Sequence, residues 1–239
     1  MKIAIIGYGK MGRAVEAEAK LRGHSVDVTI DNAGDWESKG GRLPDCDVAV
    51  EFSTPAVAKS NVERCMAMGI PTVCGTTGWY SDINQARELC LHYGGALLVS
   101  SNFSIGMNIV FELNKRLAEI MNRYPQYDVT IEETHHIHKL DAPSGTAITL
   151  ARDILGSLDR KNTWKLDEGG RTDEESLSIV SHRVGEVPGI HEIRYDSDVD
   201  SITLTHNEKN RRGLAVGAVF AAEFLCGRKG FFTMKDLMA

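Results

Sequence analysis

Three of the eight histidines of this 239-residue chain fall within four positions, in the segment Glu132-Glu133-Thr134-His135-His136-Ile137-His138-Lys139-Leu140-Asp141-Ala142-Pro143-Ser144-Gly145-Thr146-Ala147. Two chemistries compete for this stretch. One is metal ligation. Imidazole is the commonest metal ligand, and strand alternation would put His136 and His138 on one face with His135 opposite. No cysteine lies nearby, so Glu132, Glu133 or Asp141 would have to complete the shell. The other is acid–base chemistry beside an anion site. Histidine titrates near neutral pH and can pass a proton to a substrate. Lys139 can bind a carboxylate or donate a proton. Pro143 to Thr146 opens a helix, and the amides of Gly145 and Thr146 at its positive end attract an anion. A plain polar loop before a proline-started helix is the third reading. The residues alone leave it open.

A second constellation stands near the N-terminus. Lys2 to Ile6 reads as a short buried strand, and Gly7-Tyr8-Gly9-Lys10-Met11-Gly12 follows at once. A GxGxxG turn between a strand and a helix is the dinucleotide fingerprint. Gly7 permits the tight turn, Gly9 lets backbone approach a pyrophosphate, and Gly12 allows close helix–strand packing. Asp31 lies 19 residues past Gly12, at the end of the next strand. A carboxylate there accepts hydrogen bonds from ribose hydroxyls and repels a ribose phosphate. Asn32 and Ala33 supply no compensating cation, although Lys10 is a candidate. The balance favours NADH over NADPH. A glycine turn that binds no dinucleotide is the plainer alternative.

These residues need a frame to hold them. Arg13 to Leu21 reads as helix, stopped by Gly23, and Ser25 to Ile30 as the second strand. The alternation continues: strand Asp47 to Phe52, helix Pro55 to Met68, strand Pro71 to Cys74, helix Ser81 to His92 capped by Ser81 or Asp82, strand Ala96 to Ser100. Five strands separated by helices imply a doubly wound α/β sheet, a Rossmann domain. The rhythm changes near residue 104. Helix Met107 to Arg123, strand Tyr127 to Glu133 and helix Pro143 to Leu155 precede three close-set strands, Glu175 to Val184, Gly189 to Tyr195 and Ser201 to His206. That spacing predicts a smaller α+β domain with a mixed sheet. The polar stretch Asp167 to Glu175 reads as a mobile loop. Arg212 to Gly227 is a last apolar helix, and Phe231 to Met238 packs back on the first domain. The expected domains are therefore 1–105 with 207–239, and 106–206.

Composition narrows the classes further. With 42% hydrophobic and 25% charged residues the chain is expected to be globular rather than disordered. A net charge of −6 with no basic tract argues against nucleic-acid and membrane-surface partners. No apolar run is long enough to span a bilayer, and the N-terminus lacks a signal-peptide pattern. The five cysteines, Cys46, Cys65, Cys74, Cys90 and Cys226, form no CxxC pair, which fits free thiols in a cytoplasmic protein without a structural metal.

The whole pattern resembles the dihydrodipicolinate reductase family of lysine and diaminopimelate biosynthesis. The family motif E-x-H-H-x-x-K-x-D-A-P-S-G-T-A runs from Glu133 to Ala147 without a gap. Supporting matches are the Gly7 to Gly12 turn, Phe52-Ser53-Thr54-Pro55, Gly75-Thr76-Thr77-Gly78, Ser101-Asn102-Phe103-Ser104 with Gly106 and Asn108, and Thr205-His206 followed by Arg211. The resemblance implies reduction, by NADH or NADPH, of the cyclic dicarboxylate made by dihydrodipicolinate synthase. It implies His135 as general acid/base, with Lys139 as proton donor and carboxylate contact. It implies His136 and the amides of Gly145 and Thr146 as substrate-binding groups. Gly75, Thr76 and Thr77, with Ser100, Ser101, Asn102 and Phe103, match loops lining the nicotinamide side, and Arg211 matches an arginine in the hinge back to the first domain. Hinges near Ser104 to Met107 and Asn207 to Arg212 would let the domains close. A homotetramer assembled through the second domain's sheet is also implied. Three departures stand out: a short segment between Asp31 and Asp47, a first turn lacking one residue, and Asn32 where an arginine often follows the acidic residue. The last two bear on cofactor preference. A non-catalytic NAD-binding homologue and a dehydrogenase of another dicarboxylate, such as aspartate, are the alternatives in class.

Overall fold

A computed structural model describes every residue except 44, 82 and 168–172. The expected cap at Asp82 and most of the expected loop between Asp167 and Glu175 lie outside the described residues. The chain divides into two units, Met1–Ile105 with Arg211–Ala239, and Gly106–Asn210.

The first unit begins with β1 (Lys2–Ile6), α1 (Lys10–Leu21), β2 (Ser25–Ile30), α2 (Ala33–Ser38), β3 (Val48–Glu51), α3 (Pro55–Ala67), β4 (Thr72–Cys74), α4 (Ile83–Tyr93) and β5 (Ala96–Val99). The second unit carries α5 (Ile105–Met121), β6 (Asp128–His135), α6 (Gly145–Leu155), β7 (Thr163–Leu166), β8 (Ser176–Arg183), β9 (Gly189–Asp196) and β10 (Ser201–Glu208). The chain then returns through α7 (Arg212–Leu225), β11 (Gly230–Phe232) and α8 (Met234–Met238). The return comes at Arg211, after β10 has run to Glu208.

The first sheet is parallel throughout, in the order β11-β5-β4-β3-β1-β2. Helices on both faces bury β3, β4 and β5, and β1 after Lys2, which is why these strands are apolar runs rather than alternating patterns. Strand order reverses between β1 and β3, where ligands of such sheets bind. Three features differ from the sequence expectation. The sheet has a sixth strand, β11, paired with β5. Asn32 and Asp35 form a capping box that starts the short α2. Helix α1 begins at Lys10 rather than Arg13, because the Arg13 N–H already bonds the Gly9 carbonyl at 3.1 Å. Gly12 therefore lies inside the helix.

The second sheet runs β10-β9-β6-β8-β7 and is mixed: β6, β8 and β7 are parallel, while β9 and β10 are antiparallel neighbours. β7 was not foreseen, since four residues leave little pattern to read. Helices α5 and α6 cover one face, packing Met107, Val110, Leu150 and Ile154 onto Val129, Ile131, Leu177, Ile193 and Tyr195. Along β6 alternate residues point inward, Val129, Ile131, Glu133 and His135. The apolar face of this strand thus continues into two buried polar residues at its C-terminal end.

One contact makes a sharp structural demand within the first unit. A Cβ at Gly217 on α7 would lie 1.7 Å from the Phe103 carbonyl oxygen. At Gly95 the nearest atom is Met66 Cγ at 3.6 Å, an ordinary contact. Gly217→Ala should therefore destabilise the protein by about 1–3 kcal/mol in urea denaturation. Gly95→Ala should leave the midpoint nearly unchanged. Equal effects would show that α7 does not seat on this loop as described.

Candidate active site

The strand registers of the second unit assemble a polar row across its sheet. Glu133 on β6 stands beside Ser181 on β8 and His191 on β9. His135 stands beside Arg183. His206 and Glu208 on β10 face His191 and Gly189. Glu133, His135 and His191 are only 1%, 8% and 5% exposed. Burial at that depth requires partners. Glu133 Oε1 accepts from Ser181 Oγ at 2.8 Å, the Ser144 amide at 3.0 Å and Arg183 Nη2 at 3.3 Å. Its other oxygen, Oε2, faces His135 Nδ1 at 3.4 Å and His191 Nε2 at 3.7 Å. The two imidazoles meet edge to face, with centroids 5.1 Å apart. Ser144 Oγ lies 3.2 Å from His191 Nε2 and also accepts from the Ala147 amide, capping α6.

The cluster sets its own charges. Burial depresses His191 to about 4, helped by His135 and opposed by Glu133. Burial also depresses His135, with Glu133 acting to raise it and Lys139 and Arg183 to lower it. Burial pushes the Glu133 carboxyl up, but hydrogen bonds from Ser144 and Ser181 together with the His135 charge hold it below the usual range.

His135 ends β6 and is buried, so the strand runs two residues past the expected end at Glu133. His136 and His138 lie beyond the strand, with rings 6.0 Å apart, and exposed His138 meets Glu186 at 3.2 Å. The metal reading of the sequence had grouped His136 with His138 by strand alternation. The group that the fold gathers is Glu133, His135 and His191, whose ligand atoms lie within 4.8 Å of one another. Lys139 Nζ is held by both Asp141 oxygens, at 2.8 and 2.9 Å. Arg183 donates to the carbonyls of Lys139 and Asp141 and so shapes the loop that carries Lys139. Gly145 and Thr146 open α6, next to the Ser144 cap. Sequence reasoning missed Arg183 and His191 as neighbours of His135. Both are some 50 residues away in the chain, and only pairing with β6 brings them in.

In the first unit the glycine turn meets strict local limits. Gly7 has φ +87°, and a Cβ there would sit 2.3 Å from the Phe52 carbonyl oxygen. A Cβ at Gly12 would sit 2.2 Å from the Gly7 carbonyl oxygen, whereas at Gly9 it would meet nothing within 4 Å. Packing thus demands glycine at Gly7 and Gly12, while Gly9 leaves open space beside a helix N-terminus. The Tyr8 amide donates to Asp31 Oδ1 at 2.8 Å. Lys10 and Met11 begin α1. A pocket of about 440 Å³ at the β1/β3 switch is lined by Gly7, Gly9, Asp31, Trp36, Ser53 and Arg64, among others. This open space and carboxylate fit a dinucleotide. Arg64, stacked 5.2 Å over Trp36, puts a cation in the pocket that Asn32 and Ala33 do not supply. It comes from α3, outside the segment inspected for cofactor preference.

Gly75 follows β4, where a Cβ would fall 2.1 Å from the Phe52 ring. Thr76 is buried and Thr77 exposed. The Ser100 amide bonds the Cys74 carbonyl at 3.2 Å, so the two loops lie side by side. Ser100 Oγ donates to the Asn102 carbonyl at 2.7 Å, Asn102 Oδ1 accepts from the Ser104 amide at 2.9 Å, and Phe103 packs edge-on to Phe52 at 5.6 Å. Ser101 is exposed. Arg211 heads α7, exposed, and does not line the pocket.

The chain matches two family descriptions, dihydrodipicolinate reductase N-terminus over residues 1–103 and dihydrodipicolinate reductase C-terminus over residues 106–238. It is 45% identical over 239 residues to the 4-hydroxy-tetrahydrodipicolinate reductase of Christiangramia forsetii, covering 100% of this chain and 98% of that one. To the protein of the same name from Akkermansia muciniphila it is 33% identical, covering 99% and 98%. Among solved structures, a dipicolinate-bound dihydrodipicolinate reductase from Paenisporosarcina sp. TG-14 matches with TM-score 0.74 and 25% identity, over 98% of this chain and 97% of that one. Among the described residues no helix is long and apolar enough to cross a membrane.

The buried His191 has a measurable consequence. Its pKa near 4 in the fold lies below the 6.5 of a free histidine. As pH falls from about 6.5 towards 4, the unfolded chain takes up a proton that the fold refuses. Stability should therefore decline across that window, and His191→Gln should flatten the slope of unfolding free energy against pH. An unchanged slope would mean that His191 is not held neutral.

Proposed function

The chain belongs to the dihydrodipicolinate reductase family and is an NAD(P)H-dependent oxidoreductase, and from that premise we propose how its own residues divide the work. The first unit holds the dinucleotide. Gly7 to Gly12, that is Gly7, Tyr8, Gly9, Lys10, Met11 and Gly12, cradles the pyrophosphate against the start of α1, and Asp31 accepts from the ribose hydroxyls. Asp31 favours NADH, while Arg64 in the same pocket moderates the repulsion of a ribose phosphate. Gly75, Thr76 and Thr77 with Ser100 to Phe103 line the nicotinamide side, and Arg211 assists from the start of α7.

The second unit holds a small cyclic dicarboxylate. The amides of Gly145 and Thr146, at the positive end of α6, bind one carboxylate. Lys139 and His136 bind the other charge, and Lys139 exchanges its Asp141 partner for substrate. When bound, the reduced nicotinamide supplies a hydride to the ring carbon conjugated with the C=N bond. The negative charge left on the ring system must then be met by a proton at the adjacent carbon. His135 delivers that proton, and Lys139 stabilises the charge. The observation that carries this reading is the placement of His135, nine-tenths buried beside Glu133, in the strand that leads to Lys139 and the α6 N-terminus. The reading extends to a cytoplasmic homotetramer. Ile202 is exposed on the edge strand β10, a surface suited to assembly through this sheet.

Purified protein should consume NADH, followed at the nicotinamide absorbance, when given freshly generated dihydrodipicolinate synthase product. Initial rates with NADH should exceed those with NADPH. His135→Gln should lower kcat by about 10²–10⁴-fold with little change in KM. Lys139→Ala should damage both constants. Cofactor binding without consumption would assign the fold to a non-catalytic binding protein, and full turnover by His135→Gln would remove His135 from its role.

A further inference from the structure

We propose that Glu133 is the positioning residue of His135, its carboxylate accepting a hydrogen bond from Nδ1–H and so dedicating Nε2 to the substrate. The inference deepens the reading above and rests on it for the role of His135. Its basis is geometric. Glu133 Oε1 is occupied by three donors, from Ser181, Ser144 and Arg183. Oε2 is buried with no hydrogen bond from those groups and points between His135 Nδ1 and His191 Nε2. His135 Nδ1 is likewise fully buried and has no other partner. The two orphans face each other at 3.4 Å, within reach of a hydrogen bond once the Nδ1–H is aimed at the carboxylate. The opposite nitrogen, Nε2, lies against Gly189, where even a methyl group would come within 3.2 Å. The glycine therefore keeps the working nitrogen clear.

The groups around His135 are few. Glu133 faces it from the same strand, Arg183 from β8 and His191 from β9, with His206 and Glu208 beyond on β10. Lys139 and Asp141 face it from the following loop. His191 stays uncharged near neutral pH, so Glu133 serves one titrating imidazole. Glu133 opposes the burial, Arg183 and Lys139 that would otherwise strip His135 of its proton. Proton delivery then balances simply. The imidazolium gives its Nε2 proton to the ring carbon, the C–H bond forms, and the ring is left neutral with Nδ1–H still on the Glu133 carboxylate.

Two measurements test the assignment. In 15N NMR of the wild-type protein the neutral His135 ring should be the Nδ1–H tautomer. The Nε2–H tautomer would overturn the proposal, whatever any variant does. In Glu133→Gln the limb of the kcat–pH profile that belongs to His135, identified by its loss in His135→Gln, should move to lower pH by about 1 unit or more. A lower kcat with that limb unmoved would show a merely structural glutamate and overturn the proposal. If Glu133→Gln fails to fold, the tautomer measurement alone decides. Should His135→Gln keep wild-type turnover, the functional reading fails at His135, a result distinct from an unmoved limb.

Discussion

The buried polar cluster of the second unit depends on one costly act, the burial of the Glu133 carboxylate. An ionised carboxylate taken out of water loses several kcal/mol of solvation unless charge-assisted hydrogen bonds replace it. Here three donors come from two elements: Ser181 and Arg183 on β8, and the Ser144 amide at the start of α6. That last bond ties the carboxylate to the start of α6. Ser144 also caps α6 and touches His191. One buried charge thus links three strands, the start of a helix and the setting of an imidazole.

The first unit works under a different limit, that of close backbone approach. Gly7 and Gly12 are packed so tightly against Phe52 and each other that no side chain fits, while Gly9 stands open. The Phe52 carbonyl limits Gly7, while its ring presses on Gly75 and stacks edge-on to Phe103. Three loops at the carboxyl ends of β1, β4 and β5 are therefore arranged around one aromatic residue at the end of β3. Parallel strands make this possible, since all their carboxyl ends lie on one side. Gly217 extends the same economy of space to α7, which presses on the Phe103 backbone.

Much of this was legible in the chain. Fully buried parallel strands advertise themselves as short apolar runs, and the glycine turn, the Asp31 carboxylate and the His135 to Ala147 segment are local in sequence. Most element boundaries therefore fell within a residue or two. The failures have physical causes. Lys10 to Gly12 are helical although glycine disfavours helices, because close packing against Gly7 requires it. α2 begins on a capping box too short to show a period. β7 and β11 are edge strands of four and three residues, stabilised by their neighbours rather than by their own pattern.

Local chemistry and spacing determined the two halves of the protein: a glycine turn followed by an acidic residue, and a histidine–lysine segment running into a helix start. Tertiary structure decided which histidine is sealed and against what. The strand runs two residues past its expected end at Glu133, and that extension puts His135 on the inward face with Glu133. Ser181, Arg183 and His191 reach that carboxylate through strand pairing over long sequence separations, and Arg64 enters the pocket at the β1/β3 switch from a later helix. Such contacts have no signature along the chain, because register and helix placement are settled by packing of the whole sheet rather than by any local preference.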